Sequence, residues 1–313
     1  MDRVNYIVSD KLDYSKLICN DAGPGYAKSM SWDVVRLSSL KKFSYNEIYV
    51  IDNRIDKSEC DYLASCITEN PEITFIVKIV DPYLEHQNSF YYKWIISILK
   101  HENIRLLTVY EPKELTAEFA VLTNKPIIYI PYVYDEAKEQ RLDNLLQRKS
   151  KVIISGSINK IIYPYRSKLW LKSRRSLSRI FFTVLKHPGY QEMQDLPPAH
   201  KFVADKFISY LSGYKFMLLC GSRCNIEFLK FHECAYAGCM PIGEAPTCYP
   251  NEIKSLFKKI SPITIFFSAL KVIANWEERN HIEVVEKYRD FLRNSRNQAV
   301  LHQSFLDQLR QAK

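Results

Sequence analysis

Apolar positions along the chain come in short blocks separated by polar and turn residues. In the first half the blocks predict strands over residues 4–8, 47–51, 74–80, 105–109 and 126–130. In the second half they predict strands over 151–155, 179–185, 215–219, 240–242 and 263–267. These blocks are rich in Ile, Val, Phe and Tyr, as strands are. Between them, residues 31–43, 58–69, 89–101, 115–123 and 225–237 space their apolar positions as helices do. The stretch 275–311 is long, charged and helical in period, and reads as a packing or crossover helix. Strands alternating with helices predict parallel sheets with helical crossovers. Near-continuous apolar strands predict sheets covered on both faces.

Composition adds bounds. The chain has 313 residues, 47% hydrophobic and 25% charged, which excludes global disorder and suits two domains. No apolar run reaches the length of a membrane-spanning helix. Acidic residues inside the first apolar stretch argue against a signal peptide, so a cytoplasmic location is expected. Of the eight cysteines none forms a CxxC pair, and reduced, buried thiols are expected.

Charge divides the chain. Residues 1–140 hold 16 Lys/Arg against 21 Asp/Glu, whereas residues 141–313 hold 28 against 14. From 144 to 191 there is no acidic residue. The polar stretch 135–150 marks the change, and the domain boundary is placed there. The expectation is an α/β chain of two Rossmann-like domains facing across a cleft. Residues 1–140 form an acidic domain, and residues 141–313 form a basic domain with a C-terminal helix. A basic second half suits a polyanion: a nucleotide diphosphate, a nucleic acid or an anionic membrane surface met peripherally.

Several chemistries lack their motifs. The P-loop, GxGxxG, GxSxG, HExxH and DxD patterns are all absent, so no metal site and no cofactor are expected. Three segments remain. In 151–166 a strand runs into Ser155-Gly156-Ser157, and a loop then delivers Arg166 to a helix start. Small residues after a strand let backbone N–H groups approach a phosphate, and Arg166 can pair with it. In 182–190 a strand runs into His187-Pro188-Gly189-Tyr190, where His187 can donate to a phosphate and Tyr190 can stack on a base. In 215–246 a strand ends at Gly221-Ser222, and a helix carrying Lys230 and Glu233 stops at Gly238 before a second strand. Helical spacing sets Lys230 beside Glu233. A Lys can neutralise a diphosphate, and a Glu can hold ribose hydroxyls. The alternative in each case is plain local structure: a turn, a Pro-Gly corner, or an i, i+3 ion pair.

Residues 231–242, Phe-His-Glu-Cys-Ala-Tyr-Ala-Gly-Cys-Met-Pro-Ile, resemble the donor-site signature E-A-x-A-x-G-x-P-[VI] of GT-B glycosyltransferases. They are most similar to the family-1-like or spore-maturation-like group. The resemblance covers 215–246 well and 150–310 loosely; residues 1–140 match nothing specific. It implies metal-independent transfer of a sugar from a nucleotide-activated donor to an acceptor hydroxyl, such as that of a glycan, with residues 1–140 as the acceptor side and residues 141–313 as the nucleotide-sugar domain. Glu233 then matches the Glu that holds the donor ribose, and Gly238 and Pro241 match the turn after it. Arg166, Arg223 and Lys230 are the candidates for the leaving diphosphate. Retaining enzymes of this fold carry a second Glu eight positions earlier. That position is Asn225 here, which favours inversion.

Inversion needs a base on the acceptor side. Asp10, Asp21, Asp52, Asp81 and Glu111 stand at strand ends or in loops of the first half. Asp21, before the Gly23-Pro24-Gly25 loop, and Asp81, at the end of a strand, rank first. Two other classes compete: a nucleic-acid-binding protein using the basic stretch 144–191, and a catalytically inactive scaffold of the same fold. Without an RRM, KH or zinc-finger pattern, no nucleic-acid partner is expected.

Overall fold

The computed structural model describes residues 3–14, 23–40, 42–174, 176–186 and 206–311. The chain divides into two units, Met1–Val133 together with Gln298–Lys313, and Tyr134–Asn297. The change of charge places the break between 140 and 141, with the C-terminal helix in the second domain. In the structure the break falls between 133 and 134, and the last helix belongs to the first unit.

The first unit runs β1 (Arg3–Val8), α1 (Pro24–Ser29), β2 (Asp33–Arg36), β3 (Glu47–Ile51), α2 (Lys57–Glu69), β4 (Phe75–Ile79), α3 (Phe90–Leu99), β5 (Ile104–Thr108), α4 (Thr116–Leu122) and β6 (Ile127–Tyr129). Its sheet has the order β2-β1-β3-β4-β5-β6 and is parallel at every pairing. Local chemistry sets the helix starts. Asp56 caps α2 in a capping box with Glu59, and Ser89 caps α3 by accepting from the Tyr92 N–H at 3.2 Å. Residues 31–43 were expected to be helical, but Asp33–Arg36 forms β2, paired with Asn5–Val8. Val34 and Val35 favour the extended form, and the open edge of β1 supplies the partner.

The second unit runs β7 (Lys149–Gly156), α5 (Pro164–Ser173), β8 (Phe182–Lys186), α6 (Phe207–Leu211), β9 (Tyr214–Leu219), α7 (Leu229–Ala237), β10 (Met240–Gly243), α8 (Asn251–Lys254), α9 (Ile265–Ala274) and α10 (Glu278–Ser295). The sheet order is β10-β9-β7-β8, again parallel. Residues 263–267 were expected as a strand. The run Ile-Thr-Ile-Phe-Phe instead leads into α9, because Ser268 to Ala274 continues it with helical periodicity. The stretch 275–311 breaks after Ser295, and α11 (Gln298–Gln311) returns to the first unit. There Phe305 meets Trp32 at 4.8 Å between ring centroids. The Gln308 side-chain amide bonds both backbone groups of Tyr129, at 2.8 and 2.9 Å. It thus occupies backbone groups of the edge strand β6, which would otherwise seek another strand.

Both units are therefore Rossmann-like α/β layers. Strand order reverses direction between β1 and β3 in the first sheet and between β7 and β9 in the second. In open parallel sheets, ligands bind beyond the carboxyl ends of the strands at such a reversal.

The end of α7 is built unusually firmly. Its last carbonyls are buried, and Gly238 follows with φ +65°, closing the helix in the left-handed conformation. Arg289 Nε donates to the Ala235 carbonyl at 2.9 Å. Arg148 Nη1 donates to the carbonyls of Ala237 and Gly238 at 2.9 and 2.8 Å. His281 Nε2 lies 2.9 Å from the Gly238 carbonyl, while its Nδ1 accepts from Trp276 Nε1 at 2.9 Å. Those partners fix a neutral imidazole carrying its proton on Nε2. Burial first, and then Arg148, Lys215 and Arg289, push its pKa down to about 4.

A histidine whose folded pKa is lowered is stabilising only while neutral. Its contribution is complete above the ordinary value of 6.5 and is lost as pH falls from there towards 4. Chemical denaturation between pH 7 and 4 should show a loss of about 3 kcal/mol from this group. His281→Gln, which keeps both hydrogen bonds without titrating, should remove most of that slope. An unchanged slope in the variant would contradict the assignment.

Candidate functional site

The switch point of the second sheet gathers residues that the sequence holds far apart. Gly156 ends β7 with φ +94°, a conformation that favours glycine. A Cβ there would sit 2.3 Å from Lys230 Cε and 3.1 Å from Arg166 Nη1. The aliphatic stem of Lys230 therefore crosses directly over the glycine. Its ammonium donates to Ser155 Oγ and to Glu233 Oε2, both at 3.3 Å. It also lies 5.4 Å from the Phe207 ring centroid, a cation–π distance. The side chains of Lys230 and Glu233 keep 19% and 16% of their exposure, so the pair is accessible rather than sealed.

Arg166 joins the two strand ends at the reversal. Its Nη1 donates to the Ser157 carbonyl at 3.0 Å and its Nη2 to the Cys220 carbonyl at 3.3 Å. The guanidinium packs over the Tyr163 ring at 4.5 Å. The residue is almost wholly buried, and its Nε has no partner. Arg166 is thus a brace for the loop after β7. Backbone bonds tighten the same corner: the Arg223 N–H donates to the Ile162 carbonyl and the Ile226 N–H to the Gly221 carbonyl, both at 2.7 Å. The turn between carries two left-handed non-glycine residues, Ser222 at φ +65° and Asn225 at φ +55°. Local strain of this kind costs on the order of 1–3 kcal/mol and is held by its surroundings. Asn225 buries its Oδ1 without a hydrogen-bond partner.

Gly156, Arg166, Lys230 and Glu233 are thus brought together. Arg223 is exposed on the neighbouring turn. Gly238 stands at the opposite end of α7, where it closes the helix. Asp21, His187 and Tyr190 lie outside the described residues. Ser155, visible in sequence only as part of the small-residue run Ser155-Gly156-Ser157, anchors the Lys230 ammonium through its side chain. Glu227, out of register with the resemblance, serves structure. It is buried against Arg296 Nη2 and His232 Nε2, each at 2.8 Å. Burial alone would raise its pKa, but Arg296 and His232 outweigh burial and hold it at about 2.

In the first unit, Asp81 follows β4 with φ +58° and borders a hollow of about 340 Å³ lined also by Glu85, His86 and Tyr91. Burial raises its pKa, although His86 and a 3.4 Å bond from the Tyr110 hydroxyl oppose the rise. Asp52 sits at this sheet's own switch point, after β3, fully buried and accepting from the Tyr6 hydroxyl at 2.6 Å. Near it Lys78 is buried in mid-strand, its pKa lowered by burial to about 8 despite the attraction of Asp52. A lysine inside the apolar run of β4 was the sequence signal for that pair. Among the described residues, no group of three or more His, Cys, Asp or Glu is placed to hold a metal ion, and the described cysteines are free thiols.

No family model matches the chain, and no curated protein matches it. A solved structure described as "Crystal structure of GtfA/B complex" aligns with 88% of this chain at 14% identity and a TM-score of 0.48. The alignment spans 59% of that chain's length.

The packing of Lys230 over Gly156 yields a direct expectation. Gly156→Ala places a methyl group where the lysine stem runs and forces a left-handed residue with a Cβ. It should displace Lys230 and lower stability by roughly 1–3 kcal/mol in denaturant titrations. Unchanged stability would show that the glycine is not required.

Proposed function

We propose that the chain is a glycosyltransferase whose second unit binds the diphosphate of a nucleotide-activated sugar at the β7/β9 switch point. The observation that supports this reading is the convergence of Gly156, Ser155, Lys230 and Glu233 at that reversal. Their convergence joins the helix–turn–strand motif of residues 231–242 to the place where parallel sheets receive ligands. Lys230 exchanges Ser155 and Glu233 for the diphosphate. Glu233, released from the ammonium, accepts the ribose hydroxyls. Arg166 keeps the loop after β7 in shape, and the absent Cβ of Gly156 lets the Lys230 stem lie across the strand end, so that its ammonium reaches the phosphate from there.

In the reaction, the acceptor oxygen attacks the anomeric carbon as the bond to the diphosphate oxygen breaks. A carboxylate of the first unit takes the acceptor proton, and the negative charge leaves on the nucleoside diphosphate. Fixed cations and N–H donors lower the barrier by meeting charge as it develops. Asp81 suits the role of base, because burial raises its affinity for a proton; Asp21 is the other candidate. The replacement of the second Glu by Asn225 favours inversion. The reading uses no metal and no cofactor, takes a glycan hydroxyl as acceptor and places the reaction in the cytoplasm.

Thermal-shift and calorimetric titration of the full chain with nucleosides, nucleoside diphosphates and their sugars tests the proposal. Saturable binding of one diphosphate series is expected. Lys230→Ala should weaken the diphosphate at least about tenfold and leave the nucleoside nearly unaffected, because the ammonium acts on charge. Glu233→Ala should raise the donor KM by a similar factor, as expected for losing charged hydrogen bonds. Turnover should survive chelation of divalent metals. Equal losses for nucleoside and diphosphate would remove Lys230 from the site. Binding without turnover of any donor sugar would leave an inactive scaffold, and no binding at all would end the reading.

A further inference from the structure

Helix α9 has an unusual composition for a surface element. Its sequence, Ile-Phe-Phe-Ser-Ala-Leu-Lys-Val-Ile-Ala, is apolar nearly all round. A helix of that kind is ordinarily enclosed. Here Ile265 and Ala269 face the core, while Phe267 and Leu270 stand in the open at 71% and 41% exposure. Ile263, just before the helix, is 86% exposed. The layer continues onto neighbouring elements, since α9 packs against α5 and the short turn Ser176–Ile180. Those contribute Leu171, Leu177 and Ile180, each more than half exposed. Isolated surface apolar residues are ordinary, but six on three mutually packed elements form a patch.

The charge on these elements is basic, with Glu244 close to Lys259 as a neighbouring acid. Exposed cations stand on the same elements and the chain leading into them: Lys168 and Arg174 on or beside α5, Arg179 in the short turn, Lys258 and Lys259 on the segment leading into α9, and Lys271 on α9 itself. Both stretches that build this face are free of acids. Residues 144–191 contain none, and neither do residues 253–276. The next acids in the chain, Glu277 and Glu278, come at the start of α10.

We propose that this face docks on an anionic lipid bilayer, with Ile263, Phe267 and Leu270 entering the headgroup–acyl boundary and the lysines and arginines of these elements meeting lipid phosphates. Apolar side chains flanked by cations are the composition that interfacial binding requires. The alternatives fit less well. A second copy docked through the same patch would set these cations against their own counterparts, and like charges oppose such a contact. A nucleic acid would use the cations, but five of the six apolar groups are aliphatic and offer no stacking surface. The inference is independent of the donor site, because none of its residues belongs to the Gly156–Lys230–Glu233 cluster.

Co-sedimentation of the full chain with vesicles of phosphatidylcholine, with and without a minority of phosphatidylglycerol, tests it. The protein should pellet with the anionic vesicles, stay in solution with the neutral ones, and be released from the anionic ones by high salt. Phe267→Asp/Leu270→Asp and, separately, Lys258→Glu/Lys259→Glu should each reduce binding at least about tenfold. These positions are exposed, so thermal unfolding should be unchanged and nucleotide binding should be retained. The proposal is overturned if the wild type ignores both kinds of vesicle, or if either double variant sediments as the wild type does. It is equally overturned if the Phe267 and Leu270 exchange only breaks up an oligomer, or if it abolishes binding to nucleic acid rather than to vesicles.

Discussion

The helix Leu229–Ala237 ends inside the protein, with its last carbonyls away from water. Unpaired, each would cost on the order of 1–3 kcal/mol. Two buried arginines and one neutral histidine remove that cost: Arg289 at Ala235, and Arg148 and His281 at Gly238. Cations at this end also oppose the negative pole of the helix. The helix is therefore clamped at its C-terminal end. Clamping it there fixes where its first turns lie, and those turns carry Lys230 and Glu233 to the end of β7. The contact of the lysine stem with Gly156 is a consequence of that placement.

The two ion clusters of this unit differ in kind. Glu227, Arg296 and His232 form a sealed group in which the carboxylate stays charged because its partners outweigh burial. Removing one member of such a group leaves an uncompensated buried charge, worth roughly 3–5 kcal/mol. Lys230 and Glu233 instead keep partial contact with solvent. Their contacts are long, at 3.3 Å, and solvent reaches both groups, so an incoming anion can compete for the ammonium. The sealed cluster belongs to the scaffold, and the open one can exchange partners.

Much of the architecture was legible because apolar blocks report strands directly. Residues 47–51 were read with the bounds that β3 takes. The failures have physical causes. Asp33–Arg36 lies among helix-like positions, and only the free edge of β1 turns it into a strand. The apolar run before Ala274 carries β-branched and aromatic residues that suggest a strand until its helical continuation is counted. The last helix leaves the second unit because Phe305 packs on Trp32 and Gln308 bonds Tyr129, which are tertiary matters invisible in local periodicity. In the site, Gly156, Arg166, Lys230 and Glu233 were each visible as separate local signals. Their meeting depends on β9 crossing back past β7, which no spacing rule contains. The Asp52–Lys78 pair depends likewise on strand order.

The most direct measurement is a crystal structure of the full chain soaked with the nucleoside diphosphate that stabilises it. The account predicts the diphosphate beside Gly156, within hydrogen-bond reach of the Lys230 ammonium, with the 3.3 Å contact between Lys230 and Glu233 opened and Glu233 turned to the ribose. A nucleotide bound elsewhere, with that ion pair intact, would contradict it.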